Sequence, residues 1–157
     1  MPRRSPLIAI AAGLLAAGCG ATGPVGITPP HPIASIEQRC EALGRVLPAK
    51  LVGLDARRTS PHSPLTHAWG TPAVTLACGV RKPAGYRPNA SSTLAVNNLL
   101  WFETIQGSKV IWTAIRPGTT KASTMYVQLS VPRAYAAADA FLTALTGTIK
   151  AADTPSS

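Results

Sequence analysis

Residues 67–80 read HAWGTPAVTLACGV, and this stretch decides the predicted fold. After Pro72, apolar side chains recur at every second position, which is the period of a β-strand with one buried face. The apolar positions are Val74, Leu76, Cys78 and Val80. Because a disulfide from Cys78 would attach this strand to another element, we expect the rest of the chain to pack around it.

Length and composition indicate one globular domain. The chain has 157 residues, of which 46% are hydrophobic and 13% are charged. A disordered chain has fewer apolar residues, and a chain of this length usually forms a single domain. The 15 prolines and 13 glycines predict long connections and a small core.

The first residues have the features of an export signal. Arg3 and Arg4 precede an apolar run over residues 7–17. This run is too short for a permanent membrane-spanning helix, which needs about twenty residues. We therefore predict a secretory signal peptide over residues 1–18.

The end of this signal predicts a lipid anchor. Residues 15–19, LAAGC, resemble the lipobox of bacterial lipoproteins, in which the cysteine receives the lipid, although Ala16 stands where leucine is usual. The prediction is lipid attachment at Cys19 and a location on the outer face of the cell membrane. Secretion after ordinary cleavage and anchoring by an uncleaved leader are the alternatives.

The remaining chain divides into three parts. Residues 19–32 are rich in proline and glycine and carry no charge, which predicts an extended tether. Residues 33–152 are predicted to form a single globular domain, and residues 153–157 a disordered tail.

A helix and a disulfide are predicted at the start of the domain. Ser35 and Gln38 have the spacing of a capping box, and Pro48 ends the helical pattern. Apolar residues lie on one helical face at Ile36, Cys40, Leu43 and Leu47. In an exported protein the two cysteines other than Cys19, Cys40 and Cys78, are expected to pair, which would stabilise the domain by roughly 4 kcal/mol.

The second half of the chain predicts a sheet and a final helix. Residues 96–106 and 109–116 read as a β-hairpin, residues 124–131 as another strand, and residues 134–151 as a helix. Residues 51–54 predict a short strand, followed by a polar loop. The predicted fold class is α+β: a small antiparallel sheet of about four strands, packed by an N-terminal and a C-terminal helix, with one disulfide.

The motifs of common catalytic sites are absent from the sequence. There is no Gly-x-Ser-x-Gly, no glycine-rich phosphate loop and no CxxC, and His62 and His67 are poorly spaced for a shared metal. We therefore predict no catalytic residues, no metal and no cofactor. Among the six carboxylate residues, Glu103 is the one whose burial on a strand would perturb it.

Four residues form the candidate ligand or anion site. Arg57 and Arg58 lie beside serines and could bind an anion, and Arg81 is a further basic candidate. Trp69 is the best candidate among the tryptophans to line a ligand groove. The structural alternatives are an exposed loop for the arginines and core packing for Trp69.

Several short motifs resemble one protein family. They are Cys40 with Leu47-Pro48, Arg57, Ala68-Trp69-Gly70, Pro72-Ala73-Val74, Cys78-Gly79-Val80, Pro83, the segment 98–101 and Val131-Pro132. They are similar to exported or lipid-anchored proteins of actinobacterial envelopes that share the domain of unknown function 3515, over about residues 36–149. The resemblance implies export and a two-cysteine domain, and it implies no activity, substrate or partner.

The first functional hypothesis is a non-enzymatic binding or accessory module of the cell envelope, with the membrane as a partner through its lipid anchor. One alternative is an envelope enzyme acting on wall or lipid substrates through Glu103, His67 and Arg57. Another is a polyanion-binding module without nucleic-acid specificity, suggested by the net charge of +9. Its basic residues would be Arg57, Arg58, Arg81, Lys82 and Arg87. The sequence specifies neither the envelope ligand nor the oligomeric state.

Overall fold

The computed structural model describes residues 23–152. The predicted signal peptide, Cys19 and the predicted tail therefore lie outside the described residues. Within residues 23–152, none of the helices has both the length and the apolar character needed to cross a membrane.

Over the described residues, the fold is α+β, with two helices packed on one face of an eight-stranded antiparallel sheet. A single 3-10 turn, Lys121–Ser123, precedes the last strand. The elements in chain order are β1 (Val25–Gly26), α1 (Ala34–Val46), β2 (Lys50–Leu51), β3 (Leu54–Arg57), β4 (Thr59–Ser60), β5 (Thr66–Trp69), β6 (Val74–Cys78), β7 (Thr93–Val96), β8 (Leu99–Gln106), β9 (Lys109–Arg116), β10 (Met125–Pro132) and α2 (Ala138–Ala151).

The last strand joins two antiparallel meanders. The strand order is β2-β3-β5-β6-β10-β9-β8-β7, so β10 lies between β6 of the first meander and β9 of the second. Val127 pairs with Cys78 on one side and with Ala114 on the other. The strand that connects the two meanders is therefore also the last strand in the chain.

The prediction of about four strands is wrong, because the described sheet has eight. Two hairpins were missed because each has a two-residue turn inside a segment predicted as a single strand. The predicted strand 51–54 is a hairpin whose turn residues, Val52 and Gly53, have φ of 49° and 81°. The predicted strand from residue 96 is likewise interrupted by Asn97 and Asn98, with φ of 45° and 63°. Two consecutive residues with positive φ fit a two-residue hairpin turn, because that turn matches the twist of the flanking strands.

The segment before the central strand is also a strand. Residues 66–69 form β5, which pairs with β6 from Thr66 opposite Ala77 to Trp69 opposite Val74. The predicted polar loop after residue 54 contains β3 and β4. Strands of two to four residues have too few positions to show a period, so they form here through their pairing.

The first helix starts without the predicted capping box. Its N-cap is Ile33, which makes no side-chain capping bond, so the assignment of Ser35 and Gln38 as a capping box is wrong. Instead, the carbonyl of Ile33 accepts hydrogen bonds from the backbone N–H groups of Ile36 and Glu37, both at 3.0 Å. The last helix begins at Ala138, four residues later than predicted.

The predicted disulfide is confirmed and lies in the core. Cys40 and Cys78 are bonded, with their Cα atoms 5.5 Å apart, and each residue is 1% exposed. Val74 and Leu76 share the buried face of β6 with Cys78, as the alternation predicts. The bond thus joins α1 to β6, where both helices pack on the sheet.

The opposite face of the sheet is covered in part by the loop after β6. Tyr86 of this loop packs on Phe102 and Ile115, with the Tyr86 and Phe102 rings edge to face at 5.4 Å. The ammonium group of Lys82 lies 5.6 Å from the centre of the Tyr86 ring. A second, smaller cluster therefore lies behind β8 and β9.

The described part of the predicted tether packs against the domain. β1 pairs in parallel with β4, and the N–H groups of Val25 and Ile27 donate to the carbonyls of Arg58 and Ser60. Further along, Pro32 lies so close to Gly79 that a Cβ on that glycine would be 2.7 Å from the Cγ of Pro32. A proline-rich segment has an extended backbone, as a β-strand does, and its residues other than proline keep an N–H group that can donate. Such a segment can therefore pair with a strand at these residues.

Candidate functional site

A cleft of about 690 Å³ opens at the β3 side of the sheet. We call it the edge cleft, and it lies between the C-terminal half of α1, the strands β3 to β5 and the loop that joins β4 to β5. Its volume falls in the range of small-molecule sites. The charged and titratable residues that line it are Glu41, Arg45, Arg57, Arg58, His62 and His67.

Gly44 allows α1 to pack closely on the β4–β5 loop in one wall of the edge cleft. A Cβ on Gly44 would lie 2.7 Å from the carbonyl oxygen of Pro64 and 2.9 Å from Nε2 of His67. α1 and the β4–β5 loop therefore approach more closely than any other residue type would allow. This contact joins the helix to the loop, and all three residues line the cleft.

Trp69 lies in the core, directly beneath the surface of the edge cleft. It is 1% exposed, and its Nε1–H donates a hydrogen bond to the carbonyl of Pro48 at 2.9 Å. Its ring is stacked near that of His67, with the centroids 6.2 Å apart. A side chain buried this deeply supports the base of the cleft and offers a ligand little surface.

Arg57 holds backbone segments together. Its Nη1 donates to the carbonyl of Gly70 and to Oγ1 of Thr71, both at 3.0 Å. Its Nη2 donates to the carbonyl of Gly23 at 2.6 Å. The guanidinium group thus ties the start of the described chain to the turn between β5 and β6, which makes Arg57 a positioning residue.

Arg45 and Arg58 are the exposed cations of the edge cleft. Within residues 23–152, neither side chain has a hydrogen-bond or ion-pair partner. Glu41 is the one acidic residue among those lining the cleft, against three arginines. An excess of arginine in a concave site concentrates positive potential, which attracts anions.

His67 is held neutral in the wall of the cleft. Its Nε2 lies 3.1 Å from the carbonyl oxygen of Pro64, so the proton is assigned to Nε2, which donates this bond. Burial lowers the pKa of His67, and the nearby His62 lowers it further, while the hydrogen bond to Pro64 opposes the shift. His67 therefore adds no positive charge at neutral pH to that of the cleft arginines.

The other candidate residue lies elsewhere. Arg81 follows β6 and is not among the residues that line the edge cleft. Lys82, beside it, packs over Tyr86 behind β8 and β9. Arg57 and Arg58 line the edge cleft whereas Arg81, Lys82 and Arg87 do not, so the basic residues of the polyanion hypothesis fall into two groups.

The three residues of the enzyme hypothesis are not brought together. Glu103 lies on β8 opposite Trp112, whereas His67 lies on β5, with three strands between the two. Arg57 lies on β3, next to β5. In the part of the chain from residue 23 to residue 152, no group of three or more His, Cys, Asp or Glu side chains is placed to hold a metal ion.

Two residues of the site were not identified from the sequence. Arg45 is one of several exposed basic residues, and nothing in its local pattern marks it. Gly44 carries a recognisable signal, because a glycine inside an otherwise regular helix often marks a close approach by another segment. The partner in that approach, the β4–β5 loop, is specified only by the fold.

Comparison with known proteins assigns the chain to a family without assigning an activity. No curated protein and no solved structure matches the chain. A sequence profile described as "Protein of unknown function (DUF3515)" matches residues 6–156, which include the whole described domain. The chain therefore belongs to the DUF3515 family of proteins of unknown function.

Proposed function

We propose that this protein is exported, is anchored to the outer face of the cell membrane by a lipid on Cys19, and acts there as a non-enzymatic module that binds an anionic ligand. The edge cleft is the observation that carries the binding function. It combines the volume of a ligand site with two arginine side chains, Arg45 and Arg58, that are without a partner within residues 23–152. Groups of this kind favour phosphate and carboxylate.

The disulfide supports the proposed location. Cys40 and Cys78 are bonded in the core, and such bonds persist in oxidising compartments outside the cytoplasm. The features of the leader point the same way, because a basic start, a short apolar run and small residues before Cys19 are those of an export signal.

Mass spectrometry tests the location. The full-length chain is produced in a bacterial host and recovered from the membrane fraction. We expect the bond between Gly18 and Cys19 to be cleaved, Cys19 to carry a diacylglycerol group, and Cys40 to remain linked to Cys78. The variant Cys19→Ala should lack the lipid. Recovery of the wild-type protein with its leader attached and both core thiols free would contradict the proposal.

A titration with pyrophosphate tests the binding site. The processed protein is labelled with ¹⁵N, and its amide resonances are followed at low ionic strength. We expect saturable shifts around Arg45 and in residues 58–64, and about tenfold weaker binding for Arg58→Gln, because an ionic hydrogen bond contributes ~1.5 kcal/mol or more.

The variant Arg87→Gln is the matched control for this titration, since it removes the same charge from an exposed residue outside the edge cleft. It should bind pyrophosphate as the wild type does. Shifts spread over both groups of basic residues, or equal losses in the two variants, would favour general attraction of polyanions instead.

A further inference from the structure

We infer that the edge cleft faces the membrane and binds the phosphate of an anionic phospholipid from the leaflet in which the chain is anchored. This inference rests on the proposed lipid at Cys19. It adds a ligand class and an orientation to the proposed function, and both follow from where the described chain begins to pack.

The chain between the proposed lipid and the domain is short. Gly23 is held by Arg57, whose Nη2 donates to the Gly23 carbonyl at 2.6 Å, and β1 follows directly. Only residues 20–22 lie between Gly23 and Cys19. Four consecutive Cα–Cα steps span at most roughly 14 Å, so the lipidated cysteine cannot be farther than that from Gly23.

The point at which the chain is held lies beside the edge cleft. Arg57 lines the cleft and also binds Gly23. Thr59 lines the cleft as well, and it pairs with Val25 of β1. Because the anchoring point and the cleft share these residues, a lipid at Cys19 brings this edge of the sheet to the surface of the bilayer.

This geometry differs from that of a free tether. An extended spacer of fourteen residues could hold the domain up to ~40 Å from the membrane, at 3.1 Å per residue. Instead, the hydrogen bonds of Val25 and Ile27 to the β4 segment and the contact of Pro32 with Gly79 keep most of that spacer on the domain. The domain is then confined to the headgroup region.

The charges of the edge cleft complement a phospholipid phosphate. Arg45 projects from α1 and Arg58 lies between β3 and β4, so the two cations approach the cleft from different walls. A planar guanidinium group can bind two phosphate oxygens at once. The apolar residues Leu47 and Pro48, which also line the cleft, are suited to contact the glycerol part of the lipid.

Hydrogen exchange on vesicles tests this inference. The lipidated protein is purified from membranes and reconstituted into vesicles of phosphatidylcholine, with or without phosphatidylglycerol. We expect phosphatidylglycerol to slow amide exchange in residues 41–48 and 57–64 by about tenfold, as is typical when a charge-assisted contact stabilises a local segment.

Two double variants separate the edge cleft from the rest of the basic surface. R45Q/R58Q should lose the protection by phosphatidylglycerol, whereas R81Q/R87Q, which removes the same charge outside the cleft, should retain it. All four positions are exposed, so both variants should melt at the wild-type temperature. Equal loss of protection in the two variants would overturn the inference, because it would indicate general attraction to an anionic surface.

A longer connection tests the orientation. A flexible Gly/Ser segment inserted after Gly20 keeps the lipid but releases the domain from the bilayer, so the effective concentration of headgroups falls and protection should fall severalfold. The same segment inserted after Asp153 should change nothing. Protection that is unchanged by the first insertion would overturn the dependence on the short connection.

The remaining outcomes distinguish this inference from the proposed function. A mass spectrum without lipid on Cys19 would overturn the anchoring, and the inference with it. A lipidated protein whose exchange does not respond to phosphatidylglycerol would overturn the inference alone. Equal protection by soluble glycerol 3-phosphate without anionic vesicles would identify a free phosphate ester as the ligand and would also overturn it.

Discussion

The two ends of α1 serve different purposes, although they belong to one helix. Its residues up to Leu43 place three side chains in the core, Ile36, Cys40 and Leu43, and there the disulfide joins the helix to β6. Its last turns carry Arg45 into the edge cleft and leave Val46 56% exposed. The buried stripe of α1 thus packs on the core of the sheet, whereas Gly44 and Arg45 near the end of the helix line the edge cleft.

This difference separates the residues that stabilise the fold from those available for binding. In the middle of the sheet every strand has two neighbours, and the side chains facing the helices are closely packed. At the β3 edge the strands are two to four residues long and surround a cavity. Substitutions in the middle should therefore cost more stability than those at the edge.

Removal of the disulfide should have the largest effect. We expect C40A/C78A to lower the free energy of unfolding by roughly 4 kcal/mol, because the bond closes a loop with a sequence separation of 38. Urea denaturation of the processed protein measures this loss. A reduction below about 1 kcal/mol would mean that the packing of α1 on β6 does not depend on the bond.

A buried hydrogen bond between α2 and the sheet should come next. Nε1 of Trp101 donates to Oγ1 of Thr146 at 3.1 Å, and both residues are fully buried. Thr146→Val should lower stability by about 1–3 kcal/mol, since it leaves the indole N–H without a partner. Thr143→Val, at an exposed position of the same helix, is the control. Equal melting temperatures of the two variants would contradict the role of this bond.

A pair of helical glycines compares the wall of the edge cleft with an open helix surface. Gly147→Ala should stabilise by about 0.5–1 kcal/mol, because alanine is the better helix former and nothing lies within 4 Å of the new Cβ. Gly44→Ala gains the same helix propensity but meets Pro64 and His67, so a net loss of about 1 kcal/mol is expected from overpacking. Thermal unfolding measures both. Stabilisation by Gly44→Ala would show that the wall of the edge cleft yields easily.

The smallest effect should be a dependence on pH. The pKa of His67 is lowered below its ordinary value of 6.5, chiefly by burial, so the unfolded chain binds more protons than the folded protein in the window below 6.5. The contribution of His67 to stability is thus complete above pH 6.5 and is lost as the pH falls through the lowered pKa. His67→Gln keeps a donor for Pro64 and should remove this part of the pH profile.

The variant His31→Gln is the control for the pH profile, because His31 is exposed. It removes an imidazole that lies outside the edge cleft, so it separates the loss of His67 from the loss of a histidine elsewhere. If His67→Gln left the profile unchanged, the burial of the imidazole in the cleft wall would not be linked to folding.

The elements with a clear local period were the ones predicted correctly. The alternation over β6, the hairpin of β8 and β9 and the apolar stripe of α2 can each be read from neighbouring residues. The disulfide could be predicted as well, because the predicted export signal accounts for Cys19 and leaves Cys40 and Cys78 to pair. Local pattern and tertiary packing agree in all of these elements.

The edge of the sheet could not be predicted in the same way. β2 and β4 have two residues each, and the turn at Val52 uses a β-branched residue with positive φ, which no turn rule anticipates. The edge cleft itself depends on contacts between distant segments, such as that of Gly44 with Pro64. Only Arg57, Arg58 and Trp69 could be identified as candidates, because their residue types are informative without a known position.

The close approach of Gly79 and Pro32 has a consequence for how the segment before α1 lies on the domain. Gly79 has φ of +84° and leaves no room for a Cβ beside Pro32. A larger residue at position 79 would therefore displace Pro32 and the chain next to it. A displaced Pro32 would release the segment between β1 and α1 from β6, whereas Gly23 would still be held by Arg57. The path of the chain between β1 and α1 thus depends on a missing methyl group on the residue that follows the second half-cystine.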